Sequence, residues 1–226
     1  LVDDEKTGSP EESAAATTLL DVLTPIAKSW PSQWCLKANE LAVQVLGGAG
    51  YTIDYDVEQH YRDNRLNPIH EGTHGIQAQD LLGRKVLARG GAGLAALSET
   101  VAATCDRAEA AGGPAESFAA LLRPRVARLI EVTTALAGVG ASDPEAFLAD
   151  ATEYLEAAGH IVIAWIWLEQ VLALGGRADD DSDAFAAGKL RAATYFLQRE
   201  LPVVDAKFDL LAAGDRTTLD MRDDWF

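Results

Sequence analysis

The residues best placed to do chemistry lie in Ile69-His70-Glu71-Gly72-Thr73-His74-Gly75-Ile76-Gln77, where one carboxylate stands just ahead of a helix start. A carboxylate in a water-poor pocket serves as a general base, because desolvation disfavours its charged form and raises its pKa. On spacing alone the plainer reading of Glu71 is a helix-start carboxylate that stabilises the positive end of a macrodipole. Thr73 can cap that helix by accepting a backbone N–H. The same helix start presents unpaired N–H groups and a positive dipole end, which suit an electron-rich ring or a phosphate. Upstream, Gln44-Val45-Leu46-Gly47-Gly48-Ala49-Gly50-Tyr51 closes another helix on a glycine pair. From local sequence Gly47-Gly48 reads as a helix C-cap, and it also exposes backbone amides that another molecule can approach closely.

Other constellations carry less. His60, His70, His74 and His160 show no HExxH or similar pairing on one face, so no metal site is expected, although His70 and His74 flank Glu71 and are placed to tune it. The aspartates from 179 to 183 lack the alternating ligands, central glycine and terminal glutamate of an EF-hand and read as a solvated loop. Trp165 and Trp167 sit among large apolar neighbours and read as core or interface. Arg62 reads as a structural ion pair or helix-end anchor. No GxGxxG, P-loop or GxSxG occurs. Cys35 and Cys105 lie in helix-like segments without ligand spacing and read as buried free thiols.

Three separated elements, Gln44 to Tyr51, Tyr61-Arg62-Asp63 and Ile69 to Gln77, agree in type, order and spacing with one pattern, QxxGGxGY … RD … xEGTxxIQ. Over roughly residues 15 to 88 the chain resembles the C-terminal helical domain of acyl-CoA dehydrogenases. The resemblance implies oxidation of the α,β bond of an acyl-CoA on FAD, as in fatty-acid β-oxidation. Glu71 would take the α-proton while the β-hydride passes to the flavin N5. It implies that Thr73 hydrogen-bonds the flavin, and that Gln44, Gly47 and Gly48 reach the adenosine and pyrophosphate of a flavin held mainly by a neighbouring subunit, hence a homo-oligomer. Electron-transferring flavoprotein is the implied acceptor, and the bacterial cytoplasm or the mitochondrial matrix the implied location. The family's N-terminal helical domain and middle β-domain have no counterpart here. The chain is therefore expected to be a C-terminal piece, with its missing part or a partner subunit supplying most flavin and CoA contacts.

The elements that must position these residues are helical throughout. Apolar residues recur at spacings of three and four between Gly and Pro punctuation, and alternating strand patterns are nearly absent, so the chain reads as all-α. Ser9-Pro10-Glu11-Glu12 is a capping box with Pro at the first helical position. Leu19, Leu23, Ile26 and Trp30 form an apolar stripe, within which Pro25 is expected to kink or break the helix near Thr24. A second helix is expected from Ser32 to Leu46 with Trp34, Ala38, Leu41 and Val45 on one face. A third is expected from Val57 to Arg65, and a long one from Thr73 through Ile76, Leu81, Leu82 and Val86.

Gly90-Gly91-Ala92-Gly93 is the expected boundary between residues 1–90, a helical domain of that family, and an additional helical domain at 94–226. In the latter, helices are expected over Leu94–Ala111, Glu116–Ala137, Pro144–Leu174 and Ser182–Ala213, making a second bundle. Leu148, Ala151, Leu155, Ala158, Val162, Trp165, Glu169 and Leu172 mark its central seam.

Composition narrows the partners. Nineteen basic against thirty-five acidic residues give a net charge of −16, a field that repels nucleic acid and anionic membranes. Any CoA phosphates would need a local basic pocket. The longest apolar run, Ile161 to Leu168, falls short of the roughly 18 residues of a spanning helix. No export signal is visible at the start. A reading from another class stands beside the dehydrogenase: a non-catalytic helical module that completes a flavin-bearing partner.

Overall fold

The computed structural model describes residues 1–179 and 182–225, and these are helical without a strand. In chain order the helices are α1 (Val2–Thr7), α2 (Pro10–Leu46), α3 (Val57–Asn64), α4 (His74–Asp80), α5 (Ala88–Ala111), α6 (Gly113–Gly140), α7 (Pro144–Leu148), α8 (Ala151–Leu174), α9 (Ala184–Tyr195) and α10 (Val203–Ala213). The expected all-α class holds.

The capping box at the head of α2 forms as its sequence dictates, with Glu12 N–H donating to Ser9 Oγ and Ser9 N–H to the Glu12 carboxylate. Pro25 does not break the helix, and α2 runs on through Pro31 and past Ser32. A proline inside a helix costs about 3 kcal/mol. Leu19, Val22, Ile26 and Trp30 are all buried on this face, each worth about 1.5–3 kcal/mol, so packing outweighs the lost hydrogen bond. The far end of α2 departs from expectation too. Trp34 packs on the core, but Leu41 and Val45 are exposed, so the apolar face predicted there is bare in this chain.

α4 passes into a π-type turn over Leu81–Lys85, where Val86 N–H bonds to the Leu81 carbonyl and both Leu81 and Leu82 are fully buried. The helix written as α5 is interrupted at Arg89, Gly90 and Gly91, all at positive φ, within the glycine-rich run read as a boundary. One buried cluster nevertheless takes residues from both sides, from Leu19 to Leu211.

α8 lies at the centre. The expected seam is buried at Ala151, Leu155, Ala158, Val162 and Trp165, but Tyr154, Ile161, Ala164 and Leu168 on its other faces are buried as well. A helix apolar all round is a core helix. By length and composition the stretch Pro144–Arg177 is apolar enough to cross a bilayer, but 56% of its apolar window is buried inside the fold.

The single helix expected over 144–174 is broken at Asp150, whose backbone is not helical, and α7 turns to seat buried Phe147 against Gly140 of α6. The helix expected over 182–213 is likewise divided. Pro202 cannot donate a backbone hydrogen bond, a π-type turn spans Phe196–Glu200, and Leu197 and Leu201 fill the core there. Of the aspartate run, Asp180 and Asp181 lie outside the described residues. Asp183 caps α9 by accepting from Ala186 N–H. Cys105 is buried and free as expected, whereas Cys35 is free but exposed, because its side of α2 faces the cleft described next rather than the core.

Candidate active site

The segment ahead of α4 is wound tightly. Ile69 and His70 N–H both bond to the Leu66 carbonyl, and His74 N–H bonds to the Pro68 carbonyl. Two residues in between take the left-handed region, Glu71 at φ 54° and Gly72 at φ 90°. For Gly72 this is easy, but a glutamate there stores strain that its surroundings must hold. They do so through its backbone: the Gln77 amide donates to the Glu71 carbonyl at 3.0 Å, and the Lys28 ammonium donates to the Gly72 carbonyl. Thr73 caps α4 by accepting from Ile76 N–H at 3.4 Å, as expected.

The loop leaves the Glu71 side chain exposed on this chain, lining a cleft of about 250 Å³ with Lys28, Cys35, Asn64, Asn67 and His70. His70 shares that cleft. His74 does not line it. Its ring packs inward, Nδ1 2.5 Å from Ser29 Oγ, and burial, with Lys28 and Lys207 adding to it against Glu156 and Glu153, holds the imidazole below its ordinary range.

Gln44, Gly47 and Gly48 lie elsewhere. α2 ends where Gly47, at φ 57°, donates its N–H to the Gln44 carbonyl. A Cβ at Gly47 or Gly48 would meet nothing within 4 Å, so both glycines present open backbone. Gly50 is different: a Cβ there would come 2.6 Å from the Val43 carbonyl, which makes it a packing glycine. Beside the turn runs a groove of about 590 Å³ lined by Gln44, Gly50, Tyr51, Ile53 and Tyr61. The carboxylates of Glu40 and Glu58 line it too, whereas Gly47 and Gly48 do not. Arg62 lines the groove and pairs with Glu58 at 2.9 Å, as its ion-pair reading expected. No residue lining this groove lines the Glu71 cleft, so on one chain the two groups are not brought together. Among the described residues no group of three His, Cys, Asp or Glu side chains gathers as metal ligands would.

Residues 97–222 match the family model described as "Acetyl-CoA dehydrogenase C-terminal like". The chain belongs to the acyl-CoA dehydrogenase family. Residues 11–87, which hold every candidate residue above, match a second model of that family, "Acyl-CoA dehydrogenase, C-terminal domain". Among curated acyl-CoA dehydrogenases, a 3-methylmercaptopropionyl-CoA dehydrogenase of Ruegeria pomeroyi is 32% identical over 86% of this chain and 33% of its own length. A broad-specificity linear acyl-CoA dehydrogenase of Mycobacterium tuberculosis is 27% identical over 93% of this chain and 36% of its own. A butyryl-CoA dehydrogenase of Syntrophomonas wolfei is 26% identical over 96% and 36%. The chain thus spans about a third of the length of these acyl-CoA dehydrogenases.

The sequence did not point to Lys28 and Gln77, the side chains that hold the strained loop. Gln77 sits inside the quoted motif and could have been asked what its amide bonds to. Lys28 reaches the loop from α2 across 44 positions of chain, and no local pattern marks it.

Proposed function

We propose that the chain is the C-terminal part of a flavin-dependent dehydrogenase that introduces an α,β double bond into an acyl-CoA, with Glu71 as the base. The observation that carries this is the strained, pinned backbone at Glu71, φ 54°, in a loop whose carbonyls are held by Gln77 and Lys28. Strain maintained by surrounding contacts is a mark of functional sites. The reaction removes a proton from Cα and a hydride from Cβ. Glu71 takes the proton, and FAD, when bound, supplies the hydride acceptor.

Exclusion of water around the carboxylate favours proton uptake. That enclosure falls to the substrate and the remaining two thirds of the protein, because this chain leaves Glu71 open. Thr73 would hydrogen-bond the flavin from the head of α4. Gln44 and the open turn at Gly47 and Gly48 would receive the adenosine and pyrophosphate of a flavin seated on a neighbouring subunit. The separation of the two clefts on one chain supports that division in a homo-oligomer. Electron-transferring flavoprotein as the acceptor of the electrons, and a cytoplasmic or matrix location, belong to the same reading.

The test is Glu71→Gln in the flavin-loaded enzyme. Bleaching of the flavin by acyl-CoA is expected to slow by about 10²–10⁴-fold with FAD content unchanged. Bleaching at the unmodified rate would remove Glu71 from the role and favour the helical module that completes another flavoprotein.

A further inference from the structure

The loop that carries Glu71 is tied to residues far along the chain. His74, three positions after Glu71, places its ring between α2 and α8, with its side chain 14% exposed. Nδ1 meets Ser29 Oγ of α2 at 2.5 Å. Nε2 is buried, has no hydrogen-bond partner among the described residues, and faces Glu156 Oε1 of α8 at 3.9 Å. That gap is too long for a direct hydrogen bond and suits one bridging water or a purely electrostatic contact. The Glu156 carboxylate is itself fixed, since Lys207 of α10 donates to Glu156 and to Glu153 at 2.6 Å each. Burial would lower the Lys207 ammonium, but those two hydrogen bonds outweigh it and hold it above its usual range. The charged groups facing His74 are therefore Glu153 and Glu156 of α8, Lys28 of α2 and Lys207 of α10.

The path is continuous: Lys207 to Glu156, Glu156 to His74, and His74 to the loop. Lys28 clamps the same loop at the Gly72 carbonyl from the opposite element. Glu156 and Lys207 lie in the 97–222 stretch and Glu71 in the 11–87 stretch. We infer that Glu156, held by Lys207, is a positioning residue for the Glu71 loop, acting through the His74 ring, and that the C-terminal stretch thereby sets the geometry of the base. This rests on the reading of Glu71 above. A base misplaced by about 1 Å loses on the order of 10²-fold in rate without loss of binding, because only the transition state needs its alignment.

The experiment is Glu156→Gln in the flavin-loaded enzyme, which keeps shape and removes charge at a partly exposed site. It has three readouts: kcat, KM for acyl-CoA, and amide hydrogen exchange of residues 70–74. The expected result is kcat lower by about tenfold to a hundredfold, KM within about twofold, and faster exchange confined to the loop. His74→Gln, on another element, should give the same pattern, and the double variant should be no worse than either single one. Unchanged exchange at 70–74 in both variants overturns the proposal, whatever happens to kcat. Faster exchange with unchanged kcat also overturns it, because the loop is then anchored by Glu156 without that anchoring setting the base's geometry, while Glu71 itself stands or falls by the Glu71→Gln bleaching test. Should Glu156→Gln fail to fold, His74→Gln is read alone by the same criteria.

Discussion

At the scale of single residues, the site depends on backbone more than on side chains. Glu71 was legible by type and by its neighbours, and Thr73 as a cap, because both follow from local order. The left-handed conformation of Glu71 was not, since nothing in a glutamate announces φ 54°; the pins come from Gln77 and Lys28. Gly72 makes that arrangement testable. It sits at φ 90°, and a Cβ there would fall 2.8 Å from Gln77 Nε2, the atom that holds the Glu71 carbonyl. Gly72→Ala therefore adds about 1–3 kcal/mol of local backbone strain and displaces the pin in one step. The expected outcome is at least a tenfold fall in flavin bleaching by acyl-CoA, with bound FAD retained. Unimpaired bleaching would show that the loop does not need this backbone.

At the scale of elements, helix starts were the most legible feature and helix continuity the least. Ser9 and Thr73 cap where polar residues stand before apolar periodicity, whereas Asp183, read as part of a solvated loop, proves to cap α9. Pro25 was overruled because whether a helix survives a proline depends on what its flanks bury, and that is settled by partners distant in sequence. The join between α2 and α8 shows how far such partners matter. Trp30 stacks on Trp34 with ring centroids 5.2 Å apart, and it lies against α8 at Gly159, where a Cβ would come 2.1 Å from Trp30 Cδ1. Alanine is favoured over glycine inside a helix by about 1 kcal/mol. Gly159→Ala should still lower stability, by about 1–3 kcal/mol, because overpacking forces the indole from its place. Chemical denaturation of the two proteins measures this, and a more stable variant would mean that α2 and α8 can separate freely.

At the scale of the whole molecule, the charged outside and apolar inside were readable, but the bare apolar end of α2 was not. Val45, Tyr51 and Ile53 are 85%, 87% and 89% exposed, which a sequence pattern cannot distinguish from a face covered within the same chain. The core carries a second feature hidden from the sequence, a buried histidine. His160 is 1% exposed, its ring edge-on to Trp30 and Trp34, its Nδ1 3.1 Å from Trp30 Nε1, and its Nε2 without a partner among the described residues. Burial holds its pKa below the ordinary 6.5, against the smaller pull of the Glu156 carbonyl and carboxylate. The unfolded chain then binds a proton near pH 6.5 that the folded chain refuses. Stability from this group is complete above that pH and is lost as pH falls through the window between the unfolded and folded values, by up to about 1.4 kcal/mol per pH unit. His74 is shifted the same way and adds to the slope. Urea denaturation at pH 7.5, 6.5 and 5.5 should show a steep loss in the unmodified protein. His160→Phe keeps an aromatic ring in the cage but removes the titrating group and the contacts of Nδ1 with Trp30 Nε1 at 3.1 Å and the Glu156 carbonyl at 2.7 Å, a cost of about 1–3 kcal/mol. Its stability should accordingly start lower and fall less from pH 7.5 to 5.5; parallel curves for the two proteins would mean that His160 is not the residue refusing the proton.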